Sequence, residues 1–249
     1  APAPSQLTIS TAVEQFPAFS GDGRRIAFSR EVEGFRQIFV KDVEGATETQ
    51  VTDERRDHIH PTWAPASDIL LYVQGRETGD RLVARDVFDA YDQGGDVWRH
   101  DLGTGERQRI LEQAYDPSFS ATGDRIAFDA SWSGSRRIWT ADPYGRNARQ
   151  VTTAESEDVR HIHPRWSPDG RYVVFQRIEK TVSDVHLVET ATGRTTALTA
   201  DLFSDVDPTF TARGDAVVFS SYRGGGLNLW RLALTPEGDA VPVGPRPIE

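Results

Sequence analysis

Four of the six histidines in this chain sit in two copies of one tetrapeptide, His58-Ile59-His60-Pro61 and His161-Ile162-His163-Pro164. Neutral imidazole ligates zinc, manganese, iron, nickel and copper, and it exchanges protons near neutral pH. On an extended strand, residues two apart face the same side, about 7 Å from one another. Each copy is therefore expected to present two imidazoles to one face, and two such faces brought together would form a donor set for a divalent transition metal. The blades around the two copies otherwise differ (PTWAPASDILLYV against PRWSPDGRYVVFQ), so recent duplication does not explain the shared tetrapeptide. A plainer use of the same residues is hydrogen bonding to backbone groups.

The elements that must position these histidines emerge from a repeat. An aromatic segment with a turn recurs as FPAFSGDG, HPTWAPASD, DPSFSATGD, HPRWSPDG and DPTFTARGD. Each is followed by a short apolar run (IAF, LLY, IAF, VVF, VVF), then by an alternating strand (QIFVKD, DVWRHD, RIWTAD, DVHLVE, NLWRLA) and a glycine turn. Four of the units then end on QVT, QRIL, QVT and ALT. The marker prolines Pro17, Pro61, Pro117, Pro164 and Pro208 are spaced by 44, 56, 47 and 44 residues. Four short strands in roughly 40 to 45 residues is the period of a β-propeller blade, and no helical periodicity competes. The expectation is an all-β, five-bladed propeller of four-stranded antiparallel blades. Its blades run over 14–52, 57–111, 114–152, 159–199 and 205–243, between a lead at 1–5 and a tail at 244–249. The stretch Gln6-Leu7-Thr8 matches the fourth strands, so residues 6–9 are expected to close the last blade and hide its edge. AVPV at 240–243 is the competitor for that place, and in that case QLT belongs to a sixth, incomplete blade.

Bulk composition narrows the function classes. The 249 residues include 28 basic and 38 acidic side chains, a formal charge of −10, which argues against nucleic acid or an anionic membrane as partner. With no cysteine there are neither disulfides nor thiolate metal sites. The longest aliphatic run, ILLYV, is too short to span a bilayer. The opening APAPSQ reads as a mature end after signal cleavage, so the expected location is periplasmic or secreted, as a monomer. No G-x-S-x-G, Walker, HExxH or dinucleotide-binding signature is present.

In a propeller the first strand of each blade lines the central channel. Registering the units on their prolines predicts two channel-facing rings. The ring just before proline holds Phe16, His60, Asp116, His163 and Asp207; the ring two residues earlier holds Glu14, His58, Ala114, His161 and Asp205. The candidate metal ligands are thus His58, His60, His161, His163, Glu14, Asp116, Asp205 and Asp207. Chain direction is expected to put the ends of the second strands at the same mouth, bringing Arg30, Gln74, Arg76, Asp129, Trp132, Arg177, Tyr222 and Arg223. Of these, Arg177, Arg30 and Tyr222 are the candidate catalytic residues, the arginines suiting an anionic ligand held bidentately or else pairing with the many aspartates. The insertion at 76–96 supplies Phe88 and Tyr91 as a lid or as loop anchors. His100 and His186, on third strands, are expected to be structural.

The unit resembles the TolB-like or PD40 repeat, a WD40-like propeller repeat, with WSPDGRYVVF at 166–175 close to its consensus and the likeness running over 6–243. That resemblance implies a propeller and leaves function open. The string H-x-H-P-x-[FW]-S-P-D-G is also similar to one in the oligogalacturonate lyases, which hold manganese with histidines and a glutamine just upstream. It implies His161 and His163 as ligands, with Asp158 where that family places glutamine. The implied chemistry is metal-assisted β-elimination on a uronate or another anionic saccharide, or hydrolysis by a metal-bound water. The alternatives are a non-catalytic interaction scaffold that takes a protein partner at the channel mouth, and an envelope metal-binding protein.

Overall fold

A computed structural model describes residues 6–82, 95–154, 156–235 and 246–247. Among the described residues twenty strands form five antiparallel four-stranded sheets, each built from consecutive strands. Blade one comprises β1 (Glu14–Phe19), β2 (Arg25–Val32), β3 (Phe35–Asp42) and β4 (Glu48–Gln50). Blade two comprises β5 (His58–Trp63), β6 (Ile69–Gly75), β7 (Gly95–Asp101) and β8 (Arg107–Glu112). Blade three comprises β9 (Ala114–Phe119), β10 (Ile126–Ala130), β11 (Arg137–Ala141) and β12 (Arg149–Gln150). Blade four comprises β13 (Val159–Trp166), β14 (Tyr172–Glu179), β15 (Val182–Glu189) and β16 (Thr195–Ala197). Blade five comprises β17 (Asp205–Phe210), β18 (Ala216–Ser221), β19 (Asn228–Ala233) and β20 (Arg246–Pro247). No helix among the described residues is long and apolar enough to cross a membrane.

The repeated residues have identifiable work. In the turn from first to second strand, Ser167 Oγ accepts from Tyr172 N–H and donates to Asp169, while Gly170 adopts φ 69°, the left-handed region where a side chain is disfavoured. In blades one, three and four a buried threonine just past the fourth strand bonds the third strand: Thr52, Thr152 and Thr199 accept from the backbone N–H of Ile38, Ile138 and Val185, each at 2.9 Å. The apolar runs fill the space between blades, as where Ala127, Ile138 and Val151 of blade three meet Trp166, Val173, Phe175 and Val188 of blade four.

Each later blade packs through its first strand on the blade before: β5 on β1–β3, β9 on β5–β7, and β17 on β13–β15. No comparable packing joins blade five to blade one among the described residues. β1 shows the consequence, alternating half-buried and exposed residues, whereas β9 is buried along five of its six. Closure by the N-terminal strand is not what the structure shows. The edge of β19 is taken by β20, pairing Trp230 with Pro247 and Arg231 with Arg246, inside the segment expected to be a tail. Residues 6–9 form no strand; Leu7 packs instead on Ile26, Phe28 and Phe39 of blade one. AVPV and the insertion residues Phe88 and Tyr91 lie outside the described residues.

Candidate functional site

The five first strands share an irregularity that decides which side chains reach the axis. Phe16, His60, Asp116, His163 and Asp207, the residues before the marker prolines, all have φ between 49° and 56°. Pairing slips at the same place in each blade, as between Ile59 and Thr62 opposite Val73 and Leu71. Two residues on the first strand therefore oppose one on its neighbour, which is a β-bulge. Proline demands it, since it donates no hydrogen bond to the ladder and sits within sheets at edges and bulges. The side chain of the preceding blade caps the strained backbone in blade five, where Gln176 Oε1 accepts from Asp207 N–H at 3.3 Å.

The bulge turns one ring inward. Phe16, His60, Asp116, His163 and Asp207 line a single cavity of about 550 Å³ together with the marker prolines of blades one to three, Ala18, Phe19, Thr62, Arg165 and Thr209. Within it the polar residues touch in blade order. The His60 ring lies edge-on to Phe16 at 4.2 Å, and His60 Nδ1 faces Asp116 Oδ1. His163 Nε2 is 3.3 Å from Asp116 Oδ2, and His163 Nδ1 is 3.0 Å from Asp207 Oδ1. The two imidazoles stand 6.1 Å apart. Burial first, then electrostatic repulsion from His163 and Arg165, would disfavour a proton on His60 and push it well below its ordinary 6.5. A neutral imidazole against a carboxylate carries its proton on the facing nitrogen, Nδ1. At Asp207 desolvation opposes ionisation, but the hydrogen bond from His163 and the electrostatic influence of His163 and Arg165 outweigh it and hold the carboxyl below its usual value.

The second ring does not join the first. Alternation would have put His58 beside His60 and His161 beside His163, but the bulge breaks alternation between them, and none of the five lines the cavity. His58 is buried and its Nε2 donates to Gln74 Oε1 at 3.2 Å; burial drives it down to about 4. His161 Nδ1 bonds Thr152 Oγ at 2.9 Å, with its ring 4.8 Å from Phe175, and burial drives it to about 3. Asp205 is fully buried and held by Arg223 at 2.5 Å. Glu14 pairs with Arg30 at 2.6 Å, and Ala114 is buried. Apart from His161, whose partner Thr152 belongs to blade three, these residues are held by contacts within their own blades.

The expected rim also lies elsewhere. The cavity runs along residues 16–19, whose partners are at the start of β2, while Arg30 pairs with Glu14, Arg177 with His161 and Ser221 with Asp205 at the opposite ends. None of Arg30, Arg177 and Tyr222 lines the cavity. Arg30 grips Glu14 and Glu48, Arg177 bonds Glu179 at 2.9 Å, and Arg76 lies 3.4 Å from Asp96. Asp129 is buried against Arg136; Gln74 also accepts from Arg107. Trp132 donates to the Glu112 carbonyl, and Tyr222 is exposed. His100 and His186 sit on third strands beside Tyr72 and Phe175. One carboxyl at this end is strongly perturbed: desolvation, then Asp205 and Asp201, raise Asp184 to about 6.

Arg165 is the cavity residue that the histidine pattern did not single out, although a signal existed. In the column after proline it stands among Ala18, Thr62, Ser118 and Thr209. As for a metal, the two histidines implied by the lyase-like string do not meet, since His163 faces the cavity and His161 faces Thr152. Among the described residues no group of three or more His, Asp or Glu side chains is arranged to hold an ion. No step is derived through one.

Comparison with known proteins adds the following. The family described as "Prolyl oligopeptidase, N-terminal beta-propeller domain" matches residues 8–147. A TolB homolog from Chlorobium chlorochromatii is 24% identical over 172 residues, 64% of this chain and 35% of that protein. A second, from Chlorobium luteolum, is 26% identical over 70% of this chain, which spans 36% of it. The chain thus spans about a third of the length of the curated relatives it matches. TolB from Acinetobacter baumannii superposes with a TM-score of 0.73 at 16% identity, covering 94% of this chain and 57% of that one. An oligogalacturonate lyase in complex with manganese superposes at 0.52 and 18% identity, covering 91% of this chain and 75% of that one. At these identities the structural likenesses speak for the fold.

Proposed function

This chain belongs to the family of prolyl oligopeptidase N-terminal β-propeller domains, with repeats of the TolB-like kind, and from that premise we propose that it is a non-catalytic interaction module outside the cytoplasm. Its central cavity receives a segment of a partner polypeptide. The observation that carries this reading is the two-sided cavity wall. Phe16, Phe19, Pro17 and Pro61 form an apolar side, with Phe19 57% exposed, while Asp116, His163, Arg165 and Asp207 form a charged side. A concave site of about 550 Å³ with an apolar face and a few convergent polar groups is the form that ligand recognition takes. The sequence kinship with TolB homologs supports a scaffold.

The competing reading, a divalent-metal centre serving lyase or hydrolase chemistry, rests on His60, His163, Asp116 and Asp207. Those four already engage one another in pairs, and the remaining expected ligands are spent on framework contacts away from the cavity. Elemental analysis of untagged protein separates the two readings.

Peptide selection tests the scaffold. Sequences selected from a displayed library on the native protein should bind at least tenfold more weakly to Thr62→Trp, which fills the cavity, and equally to Glu106→Trp on an exposed turn. Selected peptides indifferent to Thr62→Trp, or no selection at all, would overturn the proposal.

A further inference from the structure

The cavity has one cation whose hydrogen-bonding capacity is mostly unspent. A guanidinium offers five N–H donors in a planar fork that matches a carboxylate bidentately. Arg165 uses Nη1 to donate to the carbonyl of its neighbour Pro164 at 2.8 Å, and among the described residues it makes no ion pair within 4.0 Å. Other arginines of this acidic chain are committed: Arg30 to Glu14 and Glu48, Arg136 to Asp129, Arg223 to Asp201 and Asp205. The carboxylates whose charge acts on Arg165 are those of Asp207 and Asp129. The first is engaged by His163 and the second by Arg136, so neither serves as its counter-ion. Desolvation lowers the pKa of Arg165, the sign of a cation held away from water without full compensation.

We propose that Arg165 is the anchor for a carboxylate carried by the partner segment, seated with an adjacent apolar side chain against Phe16, Phe19 and Pro61. This rests on the reading of the cavity as a peptide site. The charge balance selects a monoanion. Asp116 and Asp207 share the wall with Arg165, so a phosphate dianion would bring a second negative charge against them, whereas one carboxylate is matched by one guanidinium. The carboxylate has two possible sources, an acidic side chain or a chain terminus, and the shared chemistry is the planar two-oxygen anion.

Calorimetric or NMR titration with small probes tests this. N-acetyl-phenylalanine offers a terminal carboxylate beside an aromatic ring; N-acetyl-Phe-Glu-amide offers the carboxylate on a side chain; N-acetyl-phenylalaninamide offers none, and inorganic phosphate supplies the dianion. One or both carboxylates should bind with unit stoichiometry, and at least tenfold more tightly than the amide or phosphate. The tighter carboxylate identifies the source. Arg165→Gln should remove that preference, and Arg165→Lys, which keeps the charge and loses the fork, should retain part of it. Equal binding of carboxylate and amide, preferential binding of phosphate, no binding of either carboxylate, or full affinity in a folded Arg165→Gln protein would each overturn the inference. If peptides that depend on an open cavity at Thr62 bind without regard to Arg165, the anchor fails and the peptide site stands.

Discussion

Two rings of residues, separated by one position along the same five strands, have opposite fates. The ring of Phe16, His60, Asp116, His163 and Asp207 opens into the central cavity and touches across blade boundaries. The ring of Glu14, His58, Ala114, His161 and Asp205 stays out of that cavity and is consumed by framework contacts, His161 by Thr152 of the neighbouring blade and the other polar members inside their own sheets. The residue types are nearly the same, two histidines and two carboxylates in each. What separates them is a bulge with positive φ that re-aims one side chain per strand. Chemistry-bearing residue types therefore do not define a site; the backbone decides which of them face an empty volume.

The sharpest test sets Asp205 against Asp207. Asp205 is fully buried and its Oδ2 meets Arg223, itself only 10% exposed at the side chain and stacked near Phe219 and Trp230. Removing one partner of such a pair leaves a buried charge uncompensated, which costs about 3–5 kcal/mol. Asp205→Ala should lose that much in urea denaturation, the largest effect expected here. A loss below about 1 kcal/mol would place Asp205 with the cavity ring rather than the framework.

Next in size is the response to acid. Burial holds His58 at about 4 and His161 at about 3, whereas an unfolded histidine titrates near 6.5. Between these values the unfolded state binds more protons, so stability is complete above pH 6.5 and falls as the pH drops. At 1.4 kcal/mol per pKa unit, each should withdraw about 3 kcal/mol by pH 4. His60, also lowered well below its ordinary value, adds to the same slope. His161→Gln should flatten it by roughly one proton in the urea midpoint against pH, and an unchanged slope would show that His161 reaches solvent.

The architecture was legible because a propeller repeats its punctuation. Prolines and turn glycines recur from unit to unit, a terminal threonine recurs in blades one, three and four, and each has a local task that the structure exhibits, as Thr52, Thr152 and Thr199 do. The inward-facing ring before proline was legible for the same reason. The second ring was misplaced because strict alternation was carried through a proline-bearing strand, where a bulge should have been expected. The rim arginines were misread because sequence conveys charge and not partners, and Arg30 and Arg177 found carboxylates on their own blades. Closure failed on a tie of similar strands: QLT matched the pattern, but β20 took the edge of β19.

The smallest effect should come from Asp207, the counterpart of Asp205 two residues on. Its side chain is 66% exposed, and its bond to His163 lies at the open side of the cavity, where water screens it. Asp207→Asn keeps the shape and an acceptor oxygen and removes only the charge, so stability should change by less than about 1 kcal/mol. The electrostatic effect within the cavity should be visible all the same. With one negative charge fewer acting on Arg165, carboxylate probes should bind more tightly, by a few-fold at low salt and less at about 0.5 M, where the shorter Debye length screens the charge. A large loss of stability with no gain in affinity would mean that both rings serve the framework, and the contrast between them would disappear.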